Sequence, residues 1–173
     1  NLDDSKVIKN TDTELIYKFD EMPDISSKYI ISATFRETGK IKTAVASFAN
    51  LYSSEVFNNT YYYDGDLGAL YTKEATTFKV WSPVSTMLEL RIYDTGTPEK
   101  ITIDGKSVSL AGGNNSYKSY QMTKGEKGVW STTINEDLAG KYYTYAVTNS
   151  NYKSVEIVDP YAKSAGINGL RGM

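Results

Sequence analysis

Asp64 and Asp66 flank Gly65 in Tyr63-Asp-Gly-Asp-Leu-Gly68, and two carboxylates so close are the first place to look for acid–base chemistry. A pair that works across a glycosidic bond needs its carboxyls about 5–9.5 Å apart around a cleft, which one tight turn does not offer. Asp beside Gly in a turn is favoured because its carboxylate bonds nearby backbone amides. Turn chemistry is therefore the preferred reading of both. Calcium takes oxygen ligands and is a further use for such a loop, but no Glu cluster follows and the pattern falls far short of an EF-hand. The sequence has no Cys and no His. That removes disulfides, thiolate nucleophiles, Cys/His zinc sites and a Ser-His-Asp triad together. No nucleophile–base pair is visible, so the chain alone is expected to be non-catalytic and without a cofactor.

The other residues with chemical promise are aromatic. There are 15 Tyr, and 13% of the chain is Phe, Trp or Tyr. Such rings suit pleated, half-buried surfaces, and an exposed one can stack on a pyranose. Trp81 ends a strand-like run ahead of Pro83, and Trp130 opens another after Gly128. Each is either a sugar platform or packing, and packing is the preferred reading of both. Tyr143 and Tyr145 share one face of their strand with Tyr142 opposite, since side chains alternate. Which face is core stays open.

These residues need strands to position them. Glu14–Phe19 reads as a strand that Met22-Pro23-Asp24 ends. Residues 28–35 and 40–48 flank Glu37-Thr-Gly-Lys40 as a hairpin, with Ile41, Thr43, Val45 and Ser47 on one face. Ser53 ahead of an acidic turn marks a short helical connector. Beyond it, Thr76–Trp81 places Phe78 and Val80 together, and Met87–Tyr93 turns Leu88, Leu90 and Ile92 inward with Glu89 and Arg91 outward. Further runs cover 101–103, 107–110, 117–122, 129–134, 141–148 and 153–158. Seven or eight short strands with turns between them predict an immunoglobulin-like sandwich in an all-β chain. Sustained helical periodicity is absent, which excludes a (β/α)₈ barrel here.

The 173 residues suffice for one large domain or two small ones. A net charge of −2 gives no basic field for phosphate backbones, so no nucleic-acid partner is expected. No apolar run approaches the ~20 residues of a membrane helix. The chain opens at Asn1 without a leader-like segment, which reads as a processed or trimmed product. That start, with the Tyr, Asn, Ser and Thr richness, points to a secreted or cell-surface bacterial protein.

Five segments in order carry a resemblance: Tyr63–Thr72 (YDGDLGALYT), Phe78–Pro83 (FKVWSP), Gly128–Ile134 (GVWSTTI), Leu138–Val147 (LAGKYYTYAV) and Val158–Met173 (VDPYAKSAGINGLRGM). The chain resembles the N-terminal, non-catalytic region of type I pullulanases, α-glucan debranching enzymes of glycoside hydrolase family 13. The resemblance implies a small β-domain over residues 1–55, a family 48-like carbohydrate-binding sandwich over 56–165, and a connection to a catalytic barrel over 166–173. It implies a parent that hydrolyses α-1,6 bonds in pullulan, starch or glycogen, with this segment supporting the barrel and helping to position α-glucan. The YNWGYDP signature and the catalytic carboxylates of the barrel do not occur, so no catalytic residue carries over. Modules of this family hold glucan on two Trp and a Lys. Here the Lys position falls near Thr144 and one Trp position near Glu156, which leaves the sugar site degenerate. Trp130, Tyr143 and Tyr152 are the remaining candidates for sugar contact. Trp81, Asp159, Tyr161, Leu170 and Arg171 are the candidates for contact with the catalytic domain. A free-standing α-glucan-binding module and a protein-interaction immunoglobulin-like domain are the alternative readings.

Overall fold

The first third of the chain forms two antiparallel ribbons, each too short to enclose a core. In this computed structural model, which describes residues 3–11, 13–35, 37–150 and 153–173, β1 (Val7–Asn10) pairs with β2 (Leu15–Tyr17). β3 (Ile30–Thr34) pairs with β4 (Ile41–Val45), as the hairpin pattern predicts. Among the described residues before 60, Pro23 and Ile25 are the buried side chains. Rings take the place of a core. Tyr17, Phe19, Tyr29, Phe48, Tyr52, Phe57 and Tyr61 follow one another with centroids 5.1–6.4 Å apart. Edge-to-face pairs of this kind contribute about 0.5–1.5 kcal/mol each beyond the area they cover.

Two helices carry the string of rings onward. α1 spans Ala49–Tyr52 and α2 spans Glu55–Tyr61. The cap of α2 is Ser54, one residue beyond the Ser53 signal; its Oγ accepts from the Phe57 amide at 3.2 Å. The helical connector is thus longer than the sequence pattern suggests. It ends against the next unit, where Trp81 Nε1 donates to the Tyr61 carbonyl at 2.9 Å.

The remainder is the sandwich that alternation predicts. β5 (Gly68–Tyr71), β6 (Thr76–Trp81), β7 (Met87–Tyr93), β8 (Lys100–Ile103) and β9 (Lys106–Ser109) come first. β10 (Tyr117–Gln121), β11 (Thr123–Lys124), β12 (Val129–Ile134), β13 (Tyr142–Thr148) and β14 (Ser154–Ile157) complete it. One sheet runs β10-β7-β13-β14 and the other β11-β12-β6-β5, while β8 and β9 form a side hairpin. Its turn is Asp104-Gly105, both at positive φ, the pairing that two-residue hairpin turns select. Phe78 and Val80 from one sheet meet Leu88, Leu90, Ile92, Tyr143 and Tyr145 from the other. The open choice at β13 is resolved: Tyr143 and Tyr145 face the core and Tyr142 is half-buried.

Candidate functional site

The C-terminal strap is where the distinctive residues converge. Asp159, just past β14, is 3% exposed and accepts from Tyr143 Oη at 2.9 Å, Tyr145 Oη at 3.1 Å and the Tyr161 amide at 2.8 Å. Burial and the adjacent carboxylate push both tyrosine hydroxyls well above their ordinary range. They therefore stay protonated and remain donors at any physiological pH. Gly68, at φ +91, meets this strap directly: a Cβ there would lie 3.0 Å from the Tyr161 carbonyl oxygen. The Asp-Leu-Gly turn and the Val-Asp-Pro-Tyr segment, far apart in sequence, are two halves of one contact.

The chain then returns to β13, where Tyr143 and Gly172 exchange backbone hydrogen bonds at 2.8 and 2.9 Å. A Cβ on Gly172 would stand 2.7 Å from Ala162 Cβ, so glycine permits this closeness. Arg171, 4% exposed, closes the strap. Its guanidinium donates to the carbonyls of Thr95 at 2.7 Å and Asn114 at 2.8 Å and to Asn115 Oδ1 at 3.0 Å. It also lies 3.7 Å from the centre of the Tyr93 ring.

Next to this strap the outer face of the β10-β7-β13-β14 sheet carries a polar network. Glu156 accepts from Tyr93 Oη at 2.5 Å, Thr144 Oγ1 at 2.7 Å and Arg91 at 3.0 Å. Arg91 also bonds Glu89 at 2.9 Å and lies 4.6 Å over the Tyr117 ring. Beside them is an open groove of about 460 Å³ lined by Tyr93, Lys100, Asn115, Tyr117, Leu170 and Arg171, among others. Burial would raise the Glu156 carboxyl, but the hydrogen bonds from Tyr93 and Thr144 and the charge of Arg91 outweigh it and hold it below the usual range. A depressed carboxyl contributes stability above its unfolded value, and loses it as pH falls through the folded one. Glu156→Gln is therefore expected to lower the urea midpoint near neutrality and to flatten its fall below about pH 4.3, so that variant and parent converge in acid. An acid limb identical to that of the parent sequence would show that the network does not titrate with folding.

Several sequence-predicted residues lie elsewhere. Trp130 is buried against Val80, its Nε1 donating to the Ser82 carbonyl at 3.0 Å, and Tyr143 is in the core. Neither ring offers a face to sugar, because the inner side of its strand is the core side. Tyr152 lies outside the described residues. Trp81, Tyr161 and Leu170 are exposed, as a contact surface requires. Asp159 and Arg171 instead spend their polar groups inside this chain, holding the strap; they are structural anchors and not free for a second domain. Thr144 is 1% exposed and bonded to Glu156, so that family position is closed, while Glu156 is exposed with its carboxylate engaged by Tyr93, Thr144 and Arg91. Asp64 and Asp66 remain in an exposed turn, and no group of three or more metal-binding His, Cys, Asp or Glu occurs among the described residues. None of the described helices is long and apolar enough to cross a membrane. Tyr93 and Tyr117 are the site residues that strand patterning missed. Glu89 and Arg91 are correctly turned outward, but their partners come from neighbouring strands that one strand's pattern does not specify.

Comparison with known proteins assigns this architecture. Residues 104–162 match the family model of carbohydrate-binding module 48 (isoamylase N-terminal domain). The chain is similar to the pullulanase of Bacillus subtilis (strain 168), 38% identical over 117 residues, or 68% of this chain and 14% of that protein. Its fold matches the crystal structure of pullulanase type I from that organism complexed with maltose (TM-score 0.54, 36% identity, 69% of this chain and 14% of the other). A likeness to pullulanase from Anoxybacillus sp. LM18-11 extends over 99% of this chain and 23% of the other, at TM-score 0.65 and 27% identity. The chain thus spans a minor part of the length of the relatives it matches, and its fold matches pullulanase N-terminal β domains.

Proposed function

We propose, from a sandwich of carbohydrate-binding module 48 type within a chain-long likeness to pullulanases, that this is the accessory N-terminal region of a debranching enzyme. A catalytic domain in the same polypeptide would hydrolyse α-1,6-glucosidic bonds in pullulan, starch or glycogen. This segment would support that domain. The observation that carries the reading is the strap of residues 159–173: the segment that resembles the approach to the barrel is packed on the sandwich through Asp159 and Arg171. A strap fixed so firmly passes a defined position and direction to whatever follows it. Deleting residues 1–173 from the full polypeptide is expected to lower the melting temperature of the catalytic part by several degrees. An unchanged melt with unchanged activity would count against a supporting role.

Glucan positioning is a second reading, and the exposed ring of Tyr117 beside the groove supports it. The saturated Glu156 network argues against tight binding, since its acceptors are already engaged. Titration of this chain with maltohexaose is expected to give a dissociation constant weaker than about 1 mM, above −4.1 kcal/mol. Micromolar affinity lost in Tyr117→Ala would make the groove a working sugar site. The parent is proposed to act on α-glucan outside a bacterial cell, without a cofactor held by this region.

A further inference from the structure

The β3–β4 ribbon presents a face that nothing among the described residues covers. Its register pairs Ile30 with Val45, Ser32 with Thr43 and Thr34 with Ile41. These six side chains share one face, and none is charged. Ile30 is 62% exposed, Ile41 67% and Val45 60%. The opposite face holds the ribbon's charge, with Lys42 lying 5.5 Å over Phe35. A lone two-stranded ribbon with both faces wet is marginal in water, and the Ile30–Val45 pair with Ile41 beyond the Ser32–Thr43 row leaves apolar area on this face that a contact would cover.

We propose that this face docks on an apolar patch of the catalytic portion of the same polypeptide, an inference that rests on the function proposed above. The chemistry of the face selects the partner. With no charge it has nothing to complement a polyelectrolyte, and with no ring it gives a pyranose no platform. Size selects between a second copy and the parent chain. Five residues per strand at ~3.4 Å and two strands ~4.8 Å apart give a patch of roughly 170 Å². A stable association between separate molecules needs about 800 Å² per partner. A small patch becomes sufficient when the partner is tethered, because the effective concentration of a linked surface reaches the millimolar range. Length is consistent with that: the likeness to the Anoxybacillus pullulanase takes in nearly all of this chain, ribbon included, within a polypeptide over four times longer.

The sequence contains no Cys, so Thr43→Cys gives this segment a single thiol at the centre of the face. Maleimide labelling at that position, located by peptide mass, would be timed in this chain alone and in the full polypeptide. The expected result is at least ~10-fold slower labelling in the full polypeptide, with Ser107→Cys on the exposed β9 labelling equally fast in both. Ser32→Cys, opposite Thr43, serves if the first variant folds poorly. Equal rates at position 43 overturn the proposal. Slowing in this chain alone that grows with concentration also overturns it, in favour of a second copy. Pullulan hydrolysis by the same unlabelled polypeptide reads the parent's identity separately: an inert parent sinks the proposed function whatever the labelling shows.

Discussion

Asp159→Ala is expected to destabilise the chain more than any surface change, by about 3–5 kcal/mol. The carboxylate takes two buried tyrosine hydroxyls and a backbone amide, and Ala offers none of them an acceptor. Each hydroxyl left without a partner costs about 1–3 kcal/mol, and both lie where water does not reach. The melting temperature should fall by roughly 10 °C for a chain of this size. Asp159→Asn keeps one carbonyl acceptor and is expected to lose about half as much. Thermal unfolding followed by near-ultraviolet circular dichroism checks this directly, because Tyr143 and Tyr145 report on the same contact. A loss within 1 kcal/mol of zero, by the same measure, would mean that the hydroxyls find water or new partners.

Arg171→Ala is the second large effect, expected at about 3 kcal/mol. The side chain satisfies two backbone carbonyls and the Asn115 amide oxygen, and covers the Tyr93 ring. Its loss should release the strap before the sandwich unfolds. Hydrogen exchange at the amides of Gly166 and Met173, which bond within the strap, and of Gly172, which bonds Tyr143 on β13, would rise while β7 and β12 stay protected. Arg171→Lys should not restore them, since one ammonium cannot reproduce a planar fork that reaches both loop carbonyls and Asn115. Uniform protection in Arg171→Ala would show that the strap is held by its backbone pairing alone.

The sandwich was legible because its strands are amphipathic one by one. Leu88, Leu90 and Ile92 point inward by period two, and nothing in the tertiary structure disturbs them. Tyr142–Tyr145 defeated the same reasoning, since tyrosines stand on both faces and a two-period pattern then has no polar side. What decides them is Asp159, a carboxylate that reaches both hydroxyls from beyond β14. The resemblance places Asp159 and Arg171 at an external partner, because their segment is similar to the approach to the barrel. Their partners are present, but up to 76 residues away in sequence, as for Arg171 and Thr95. Trp130 packs, as its preferred reading has it, and so is not the sugar contact that the alternative reading offers. Its strand places it opposite Val80 on the core side, and its indole hydrogen bond is internal. The N-terminal hairpin was found with its correct face, yet no pattern in Ile30–Val45 could say whether that face is covered.

Under the proposed function, this chain is the non-catalytic part of a pullulanase-type enzyme. The most direct test assays two samples on pullulan for release of reducing ends: residues 1–173 alone, and the full polypeptide that contains them. The expected result is no release from residues 1–173 and steady release from the full polypeptide. Hydrolysis by residues 1–173 alone, or a full polypeptide that folds but leaves pullulan intact, would contradict it.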